Sequence, residues 1–292
     1  MECGCQSMIA PVEILLLKHA REAFRSQEYL EAAWKEFGYL ACPDYEEALR
    51  EYQAFASLLK KHVPQVHYLP ENPKAGLDSI YVHDPVKICR GGAVMMRMGK
   101  ELRRSETEPM EVMLRSLEVP ILGRLEPPAT MDGGDVLWLD EDTLVLGRGY
   151  RTNDEGLRQF QDLVRPWVKD ILVVDMPHDQ GPEACLHLMS VVSLVDRDLG
   201  VVYSPLMPVR LRQLLLERGY HLVEVCREEY DTLGCNVLAL APRLCVLSAG
   251  NSRVAGDLRR AGAEVLEYEG KNISYYGTGG PTCLTRPILR RW

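Results

Sequence analysis

The sequence predicts an α/β fold, a five-bladed α/β propeller in which ββαβ modules surround a pseudo-fivefold axis. One order of elements recurs at a spacing of about 50 residues: an apolar run, a polar turn, a second apolar run, an amphipathic helix and a third apolar run. The chain ends also complement each other, because the N-terminal region supplies a helix and a strand that complete a half-module at the C-terminus. A ring closed by the N- and C-terminal segments leaves no exposed sheet edge. An open mixed sheet with helices on both faces is the alternative.

The modules are predicted from their apolar runs and helical stripes. Three are continuous, and in each the order is strand, strand, helix, strand. The first covers residues 136–139, 143–146, 153–165 and 171–174. The second covers 191–195, 201–203, 208–218 and 221–225, and the third covers 237–240, 244–247, 252–261 and 264–268. A fourth module, with a looser turn, takes strands at 79–82, 93–96 and 119–122 around a helix at 105–117. The fifth is split between the chain ends, with strands at 273–276 and 284–289, a helix at 44–62 and a third strand at 66–69.

Length and composition describe a globular chain. Its 292 residues suit one large domain or two ordinary ones, and we predict a single catalytic domain over residues 1–292. Apolar residues make up 46% and charged residues 26%, which excludes a disordered or fibrous chain. The net charge of -8 and the absence of a polybasic run argue against a nucleic-acid partner. The apolar stretches are far shorter than the roughly 20 residues that cross a bilayer, so no membrane partner is expected.

The N-terminus and the cysteines indicate a reducing compartment. The chain does not begin with a basic segment followed by an apolar core, so we expect no secretory signal and a cytoplasmic location. The nine cysteines are then expected to be thiols. They lack the spacing of metal ligands, and no metal site is predicted.

Polar residues stand where the first strand of each predicted module begins. If these strands point toward one axis, the residues before them converge on a central hollow. These residues are Asp78, with Asp84 just beyond its strand, the Asp132-Gly-Gly-Asp135 turn, His187, Cys235-Asn236 and Cys283. A cysteine beside an imidazole can exist as a thiolate, and an adjacent carboxylate orients the imidazole as general acid and base.

Each of these residues also has a purely structural explanation. A lone cysteine before an apolar strand is usually part of a core, and a lone histidine between leucines usually has its hydrogen bonds satisfied there. Asp132-Gly-Gly-Asp135 can be a simple turn into a strand. The functional interpretation is favoured because three unrelated types of polar residue occupy equivalent places in three modules, which separate structural explanations do not account for.

At these residues the sequence resembles the guanidino-group-modifying superfamily, which includes the arginine deiminases, the arginine amidinotransferases and the dimethylarginine dimethylaminohydrolases. The resemblance is carried by six motifs, and the 40 N-terminal residues match least. The motifs are Asp78-Ser-Ile-Tyr-Val-His-Asp84, Arg103-Arg-Ser-Glu106, Asp132-Gly-Gly-Asp-Val-Leu137, Gly147-Arg-Gly-Tyr-Arg151-Thr-Asn153, Leu186-His-Leu-Met-Ser190 and Gly279-Gly-Pro-Thr-Cys-Leu-Thr285.

The resemblance implies the five-bladed propeller, or pentein, fold and a set of residue roles. It implies Cys283 as nucleophile, His187 as general acid and base, and Asp132 as the carboxylate that engages both His187 and substrate. It further implies that Asp84 clamps the guanidinium of a small-molecule substrate. By the same resemblance Arg103 and Arg151 hold the substrate carboxylate, and Asp78 faces its amino group. No metal or organic cofactor is implied.

Within the superfamily the dimethylarginine dimethylaminohydrolases are the most similar group. Met189 stands where deiminases and amidinotransferases carry an aspartate, and losing a carboxylate suits an alkylated guanidinium. His83 and residues 284–287 differ from the sequence pattern that is usual in that group. We therefore expect a cysteine hydrolase of arginine or N-methylated arginine that yields citrulline and an amine. The alternatives are an arginine deiminase or dihydrolase, an amidinotransferase, and a non-catalytic binding protein on the same scaffold. The chain could form a homo-oligomer.

Overall fold

The computed structural model describes residues 2–292. The strands are β1 (Val12–Leu17), β2 (Gln65–Tyr68), β3 (Val86–Cys89), β4 (Gly92–Met95), β5 (Ile121–Arg124), β6 (Val136–Trp138), β7 (Thr143–Arg148), β8 (Asp170–Asp175), β9 (Val192–Asp196), β10 (Leu199–Val202), β11 (His221–Glu224), β12 (Leu238–Ala241), β13 (Leu244–Ser248), β14 (Glu264–Tyr268) and β15 (Arg286–Arg290). The α-helices are α1 (Ala20–Phe24), α2 (Gln27–Ala33), α3 (Tyr45–Lys60), α4 (Thr107–Ser116), α5 (Asp154–Val164), α6 (Leu188–Val191), α7 (Val209–Glu217), α8 (Arg227–Asp231) and α9 (Ser252–Arg260).

The strands of residues 2–292 form five three-stranded sheets with one shared topology. Sheets 1 to 4 are β3-β4-β5, β6-β7-β8, β9-β10-β11 and β12-β13-β14, and sheet 5 is β15-β1-β2. In every sheet the middle strand is antiparallel to the first and parallel to the third. A parallel pair needs a crossover, which α4, α5, α7, α9 and the N-terminal helices α1 to α3 provide. The recurring order predicted from the sequence is therefore confirmed as ββαβ.

The predicted composition of sheet 5 is partly wrong. Its middle strand is the apolar segment Val12–Leu17, whereas residues 273–276 lie in and just after a one-turn π-helix, Lys271–Tyr275. The buried carboxylate of Glu51 on α3 explains this, because it accepts hydrogen bonds from the backbone N–H groups of Asn272 at 2.8 Å and Ile273 at 3.2 Å. These donors are engaged by a side chain and do not form a strand ladder. The last strand also begins later than predicted, at Arg286.

The first strand of sheet 1 is also displaced from its predicted position. Residues 79–82 were expected to be a strand, but Leu77–Ile80 forms a short 3-10 helix and the strand is Val86–Cys89. Local bonds replace the ladder here. The Tyr81 carbonyl accepts a hydrogen bond from Arg103 Nη2 at 2.9 Å, and the Tyr81 N–H donates to the Asp78 carbonyl at 2.9 Å.

The middle strands are buried on both faces, which explains their continuous apolar runs. On β4, Val94 belongs to a cluster with Trp138 of sheet 2, whereas Met95 belongs to a cluster with Ile14 of sheet 5. Successive side chains of a strand point to opposite faces, so one strand serves two cores. Within residues 2–292 the five apolar clusters join sheet 5 to sheet 1, sheet 1 to 2, sheet 2 to 3, sheet 3 to 4 and sheet 4 to 5.

Hydrogen bonds also link the first strand of each module, or the turn before it, to the same part of the next module. They are Arg286 Nη1 to the Val86 carbonyl at 2.9 Å, Lys87 Nζ to the Val136 carbonyl, Leu188 N to Asp135 Oδ1 at 2.8 Å, Ser193 Oγ to the Cys235 carbonyl at 2.7 Å and Arg290 Nη2 to the Ala239 carbonyl at 2.7 Å. Each of these bonds pairs a buried polar group where two sheets meet, although the Nε atoms of Arg286 and Arg290 have no partner. No helix in the described part of the chain has the length and apolarity to cross a membrane.

Candidate active site

Five polar residues occupy equivalent places just before the first strands of the five modules. Each lies in a turn or short helix that delivers the chain to its strand. In order these residues are Asp84 before β3, Asp132 before β6, His187 before β9, Asn236 before β12 and Cys283 before β15. The predicted equivalence holds for Asp132, His187, Asn236 and Cys283, whereas in module 1 the residue before the strand is Asp84 and not Asp78, which lies in the 3-10 helix Leu77–Ile80.

The structure brings Asp132 and His187 into direct contact. Asp132 is fully buried, and its Oδ2 lies 3.0 Å from His187 Nε2. Its other oxygen accepts a hydrogen bond from the Gly99 N–H at 2.7 Å, and Arg151 Nη1 donates to Oδ2 at 3.4 Å. A carboxylate with this many donors is held rigidly, and it fixes the plane of the imidazole.

The Asp-Gly-Gly-Asp turn gives the imidazole its space and its support. A Cβ on Gly134 would lie 2.5 Å from His187 Nδ1, so glycine is required for the close approach of this backbone to the ring. Asp135 accepts hydrogen bonds from the Leu188 N–H at 2.8 Å and from Thr152 Oγ1 at 2.6 Å. The turn therefore anchors the start of α6, where His187 is the N-cap residue.

The imidazole of His187 favours its protonated form. Burial acts to lower its pKa, but the negative charges of Cys185 and Asp84 and the hydrogen bond to Asp132 outweigh burial and hold the pKa well above the ordinary value. His187 is thus suited to donate a proton.

Cys283 is held by Asn236 through a hydrogen bond to its sulfur. Asn236 Nδ2 donates to Cys283 Sγ at 3.3 Å, while Asn236 Oδ1 accepts a hydrogen bond from the Thr282 N–H at 3.0 Å. Burial raises the pKa of the Cys283 thiol to about 12, and Asp84 and Cys185 add to this, whereas the Asn236 hydrogen bond and the charge of His187 oppose it. Cys283 and His187 are therefore electrostatic neighbours, but the sulfur is hydrogen bonded to the amide and not to the ring.

Asp84 and Arg103 form a buried ion pair. Arg103 Nη1 lies 2.7 Å from Asp84 Oδ2, and the Gly134 N–H donates to the other Asp84 oxygen at 2.9 Å. Burial acts to raise the pKa of Asp84, but Arg103 and His187 outweigh it, so this carboxylate is ionised. Glu106 and the Tyr81 carbonyl bind the remaining nitrogens of Arg103, at 2.9 to 3.0 Å. All three nitrogens of the Arg103 guanidinium are engaged by the protein itself.

Asp78 and Arg151 lie at two further positions. Lys100 Nζ lies 2.6 Å from Asp78 Oδ2 and also donates to the Phe37 carbonyl at 2.6 Å. The carboxylate of Asp78, which the resemblance assigned to a substrate amino group, thus has an ammonium partner within the chain. Arg151 contacts Asp132, as described above, and its side chain is 10% exposed.

Two residues of this site, Lys100 and Cys185, were not predicted from the sequence. Cys185 Sγ lies 3.7 Å from His187 Nδ1 and 4.0 Å from Nε2. Its position two residues before His187 was a local signal. Lys100 reaches Asp78 across 22 residues and left no comparable signal in the sequence.

A cavity of about 570 Å³ lies elsewhere, beside β11, the turn before β13 and α9. His221, Arg243 and Arg253 are among its lining residues, and none of the predicted site residues is. Within residues 2–292 no three histidine, cysteine or carboxylate side chains are grouped so that they could hold a metal ion.

Comparison with known proteins agrees with the motifs. The family model "N,N dimethylarginine dimethylhydrolase, eukaryotic" matches residues 35–290. The chain is 26% identical to an arginine deiminase of Listeria welshimeri, covering 86% of this chain and 73% of that protein. It is also 26% identical to the N(G),N(G)-dimethylarginine dimethylaminohydrolase of Pseudomonas aeruginosa, covering 85% and 91%.

Solved structures show the same fold. The Pseudomonas aeruginosa dimethylarginine dimethylaminohydrolase, as a variant complexed with citrulline, superposes with a TM-score of 0.75 at 22% identity over 96% of this chain and 100% of that one. The amidinotransferase SxtG of Microseira wollei superposes with a TM-score of 0.81 at 14% identity over 100% and 98%. The resemblance inferred from the motifs is confirmed, and this chain belongs to the dimethylarginine dimethylaminohydrolase family of the guanidino-group-modifying superfamily.

Proposed function

We propose that this chain is a cysteine-dependent hydrolase of the guanidino group of arginine or N-methylated arginine, which releases citrulline and an amine. The contact between buried Asp132 and His187 is the observation that supports it most, because a non-catalytic scaffold has no need of an oriented imidazolium beside a thiol. The names of the curated relatives, arginine deiminase and dimethylarginine dimethylaminohydrolase, support the same class of reaction.

We further infer that the chain forms one domain, a closed propeller of five blades, over the predicted range 1–292, of which residue 1 lies outside the described residues. The support is the cyclic order of the contacts, since each sheet shares an apolar cluster with two others and the series returns to its start. In such a ring the turns before the five first strands meet at one end of the axis. Asp84, Asp132, His187, Asn236 and Cys283 would then surround one substrate.

The proposed reaction begins when a guanidinium cation lies between Asp84 and Cys283. A planar cation with several N–H donors is the natural partner of carboxylates, and its charge would counter the effect of Asp84 on the Cys283 thiol. The Cys283 thiol releases its proton to solvent as the cation binds, the thiolate attacks the central guanidinium carbon, and His187 donates a proton to the departing amine. The product of this step is an S-alkylthiouronium on Cys283. His187 then takes a proton from water, which attacks the same carbon and releases citrulline and the thiolate.

Arg151 is our choice for binding the substrate carboxylate. Its guanidinium has one long contact, to Asp132, whereas binding of a carboxylate by Arg103 would require breaking bonds to Asp84, Glu106 or Tyr81. We assign to Arg103 the role of holding Asp84 in place.

The nature of the leaving amine depends on residues near the guanidinium. Met189, which replaces an acidic residue of deiminases, is buried in the apolar cluster between sheets 2 and 3 and supplies no carboxylate. This favours tolerance of N-methyl groups. The similarity to arginine deiminases over 86% of the chain keeps the deiminase or dihydrolase reaction as the second candidate, and transfer of the amidino group to an amine is the third.

A product assay separates these reactions. The chain is incubated with arginine, monomethylarginine or dimethylarginine, and citrulline, ammonia, methylamines and amidino products are measured. We expect citrulline together with the methylamine of a methylated substrate, and no citrulline from Cys283→Ser, while the control Cys226→Ser behaves as wild type. If arginine were the one substrate that yielded citrulline, the result would support a deiminase. Citrulline formation by Cys283→Ser would overturn the covalent mechanism.

A further inference from the structure

Cys185 is a second thiol beside the imidazole, and the proposed reaction does not use it. Its sulfur lies 3.7 Å from His187 Nδ1, on a ring whose Nε2 is already paired with Asp132. Among the cysteines of residues 2–292, Cys185 is the one that is exposed to solvent. It therefore combines access from outside with direct contact to a protonated base.

The surroundings of Cys185 favour the thiolate, the reactive form of a cysteine. Desolvation acts to raise its pKa, but His187 and Arg151 outweigh it, and the pKa of the thiol lies below its ordinary value. Burial has the opposite net effect elsewhere, raising the pKa of Cys89 to about 11 and that of Cys245 to about 12.

Contacts of the backbone connect the surroundings of Cys283 to those of Cys185. The His83 N–H donates to the Cys283 carbonyl at 3.2 Å, and the adjacent Asp84 accepts from Gly134, whose backbone lies against the His187 ring. The two sulfurs share the same electrostatic neighbours, His187 and Asp84, and the charge of Cys185 contributes to the raised pKa of Cys283. Cys185 belongs to the segment 176–187, which connects β8 to α6 without helix or strand. Such a segment can bring the two Cα atoms to the roughly 4.4–6.8 Å that a disulfide requires.

We propose that Cys185 is a site of reversible oxidation by hydroperoxides, and that Cys283 captures the oxidised sulfur in a disulfide. The loss of activity that follows depends on the function proposed above, but the modification itself does not.

The chemistry needs a hydroperoxide as oxidant and a dithiol as reductant. The Cys185 thiolate attacks the terminal oxygen of the hydroperoxide, which is reduced to an alcohol or water, and the sulfur becomes a sulfenic acid. The Cys283 thiol then attacks the sulfenyl sulfur, so that an S–S bond forms and the S–O bond breaks. The hydroxide leaves as water with a proton from His187, and His187 recovers a proton from the Cys283 thiol. Exchange with a dithiol returns both thiols.

The test uses the full chain and mass spectrometry, with no substrate. The protein is treated with hydrogen peroxide, remaining thiols are alkylated, and unreduced peptides are analysed. We expect a linked peptide pair containing Cys185 and Cys283 that disappears with dithiothreitol, and a loss of two titratable thiols per chain. In Cys283→Ser we expect a sulfenic acid on Cys185 that dimedone traps.

Matched variants decide the assignment. Cys185→Ser should slow the loss of thiols by about tenfold or more, because the exposed low-pKa thiol is gone, whereas Cys226→Ser should react as wild type. Absence of the linked pair from oxidised wild type, or thiol loss at the wild-type rate in Cys185→Ser, would overturn the proposal. A chain that forms the linked pair but makes no citrulline from any substrate would contradict the proposed function alone.

Discussion

The two halves of the candidate site differ in how their charges are held. The carboxylate half, Asp84 with Arg103 and Glu106, is buried and joined by ion pairs of 2.7 to 2.9 Å within 23 positions of the chain. The thiol half, Cys283, His187 and Cys185, has sulfur contacts of 3.3 to 4.0 Å and a partly exposed surface. Despite burial, Arg103 and His187 hold the pKa of Asp84 below its ordinary value, so the carboxylate that would bind a cation keeps its charge, whereas the protonation of the sulfurs depends on their neighbours.

Neutralising Asp132 tests the thiol half and should have the largest effect. In Asp132→Asn the imidazolium of His187 loses its buried anion, so kcat for citrulline formation should fall by on the order of 10³ to 10⁴-fold. The measurement is steady-state kinetics together with circular dichroism to confirm the fold. Asp142→Asn, which alters an exposed partner of Lys169, is the control, and an Asp132→Asn enzyme within tenfold of wild type would show that the Asp132 charge is not needed.

Removing Arg103 tests the carboxylate half through stability. Arg103→Ala leaves Asp84 and Glu106 buried without their cation, and we expect the free energy of unfolding to fall by about 3–5 kcal/mol. Urea denaturation measures it. The neighbouring Arg104→Ala, which removes a largely exposed pair with Glu101, should cost about 1 kcal/mol or less. If the two variants lost equal free energy of unfolding, the buried ion pair would stabilise the fold no more than an exposed one.

Asp135 lies between the two halves, and its protonation should make the free energy of unfolding depend on pH. Burial raises the pKa of Asp135 to about 6, opposed by His187 and Thr152. Between its ordinary pKa and about 6 the folded chain holds a proton that the unfolded chain has released, so this group makes stability fall as the pH rises through that window.

Asp135→Asn should remove this part of the pH dependence, which amounts to at most about 3 kcal/mol. The amide oxygen can still accept from the Leu188 N–H, and the amide nitrogen can donate to Thr152, so the turn is preserved. Urea denaturation at several pH values between 4 and 7 measures the slope. An unchanged slope in Asp135→Asn would show that Asp135 ionises normally in the folded chain.

The sequence predicted the modules correctly where local hydrophobic periodicity determines the strands and helices. The prediction failed where contacts with residues distant in the sequence determine the local structure. The ββαβ order of sheets 2, 3 and 4 followed from apolar runs that serve two cores. Sheet 5 was mispredicted because Glu51, more than 220 positions away, holds residues 271–275 in a helical turn. The apolar segment Val12–Leu17 was not assigned to a sheet because nothing near it in the sequence indicates its partners.

The candidate site shows the same division. The repeat placed Asp132, His187 and Cys283 at equivalent turns, and the family motifs gave them roles. The pairing of Asp78 with Lys100, the saturation of Arg103 and the contact of Cys185 with His187 depend on side-chain directions in three dimensions. No periodicity encodes those directions.

Trapping the covalent intermediate tests the central claim that Cys283 is the nucleophile. The chain is mixed with excess arginine or dimethylarginine, quenched with acid over a series of times beginning at milliseconds, and its peptides are mapped by mass spectrometry. The proposed mechanism predicts an amidino adduct of the substrate on Cys283 that forms before citrulline is released. An adduct on Cys185, or citrulline release with both sulfurs unmodified at every quench time, would contradict it.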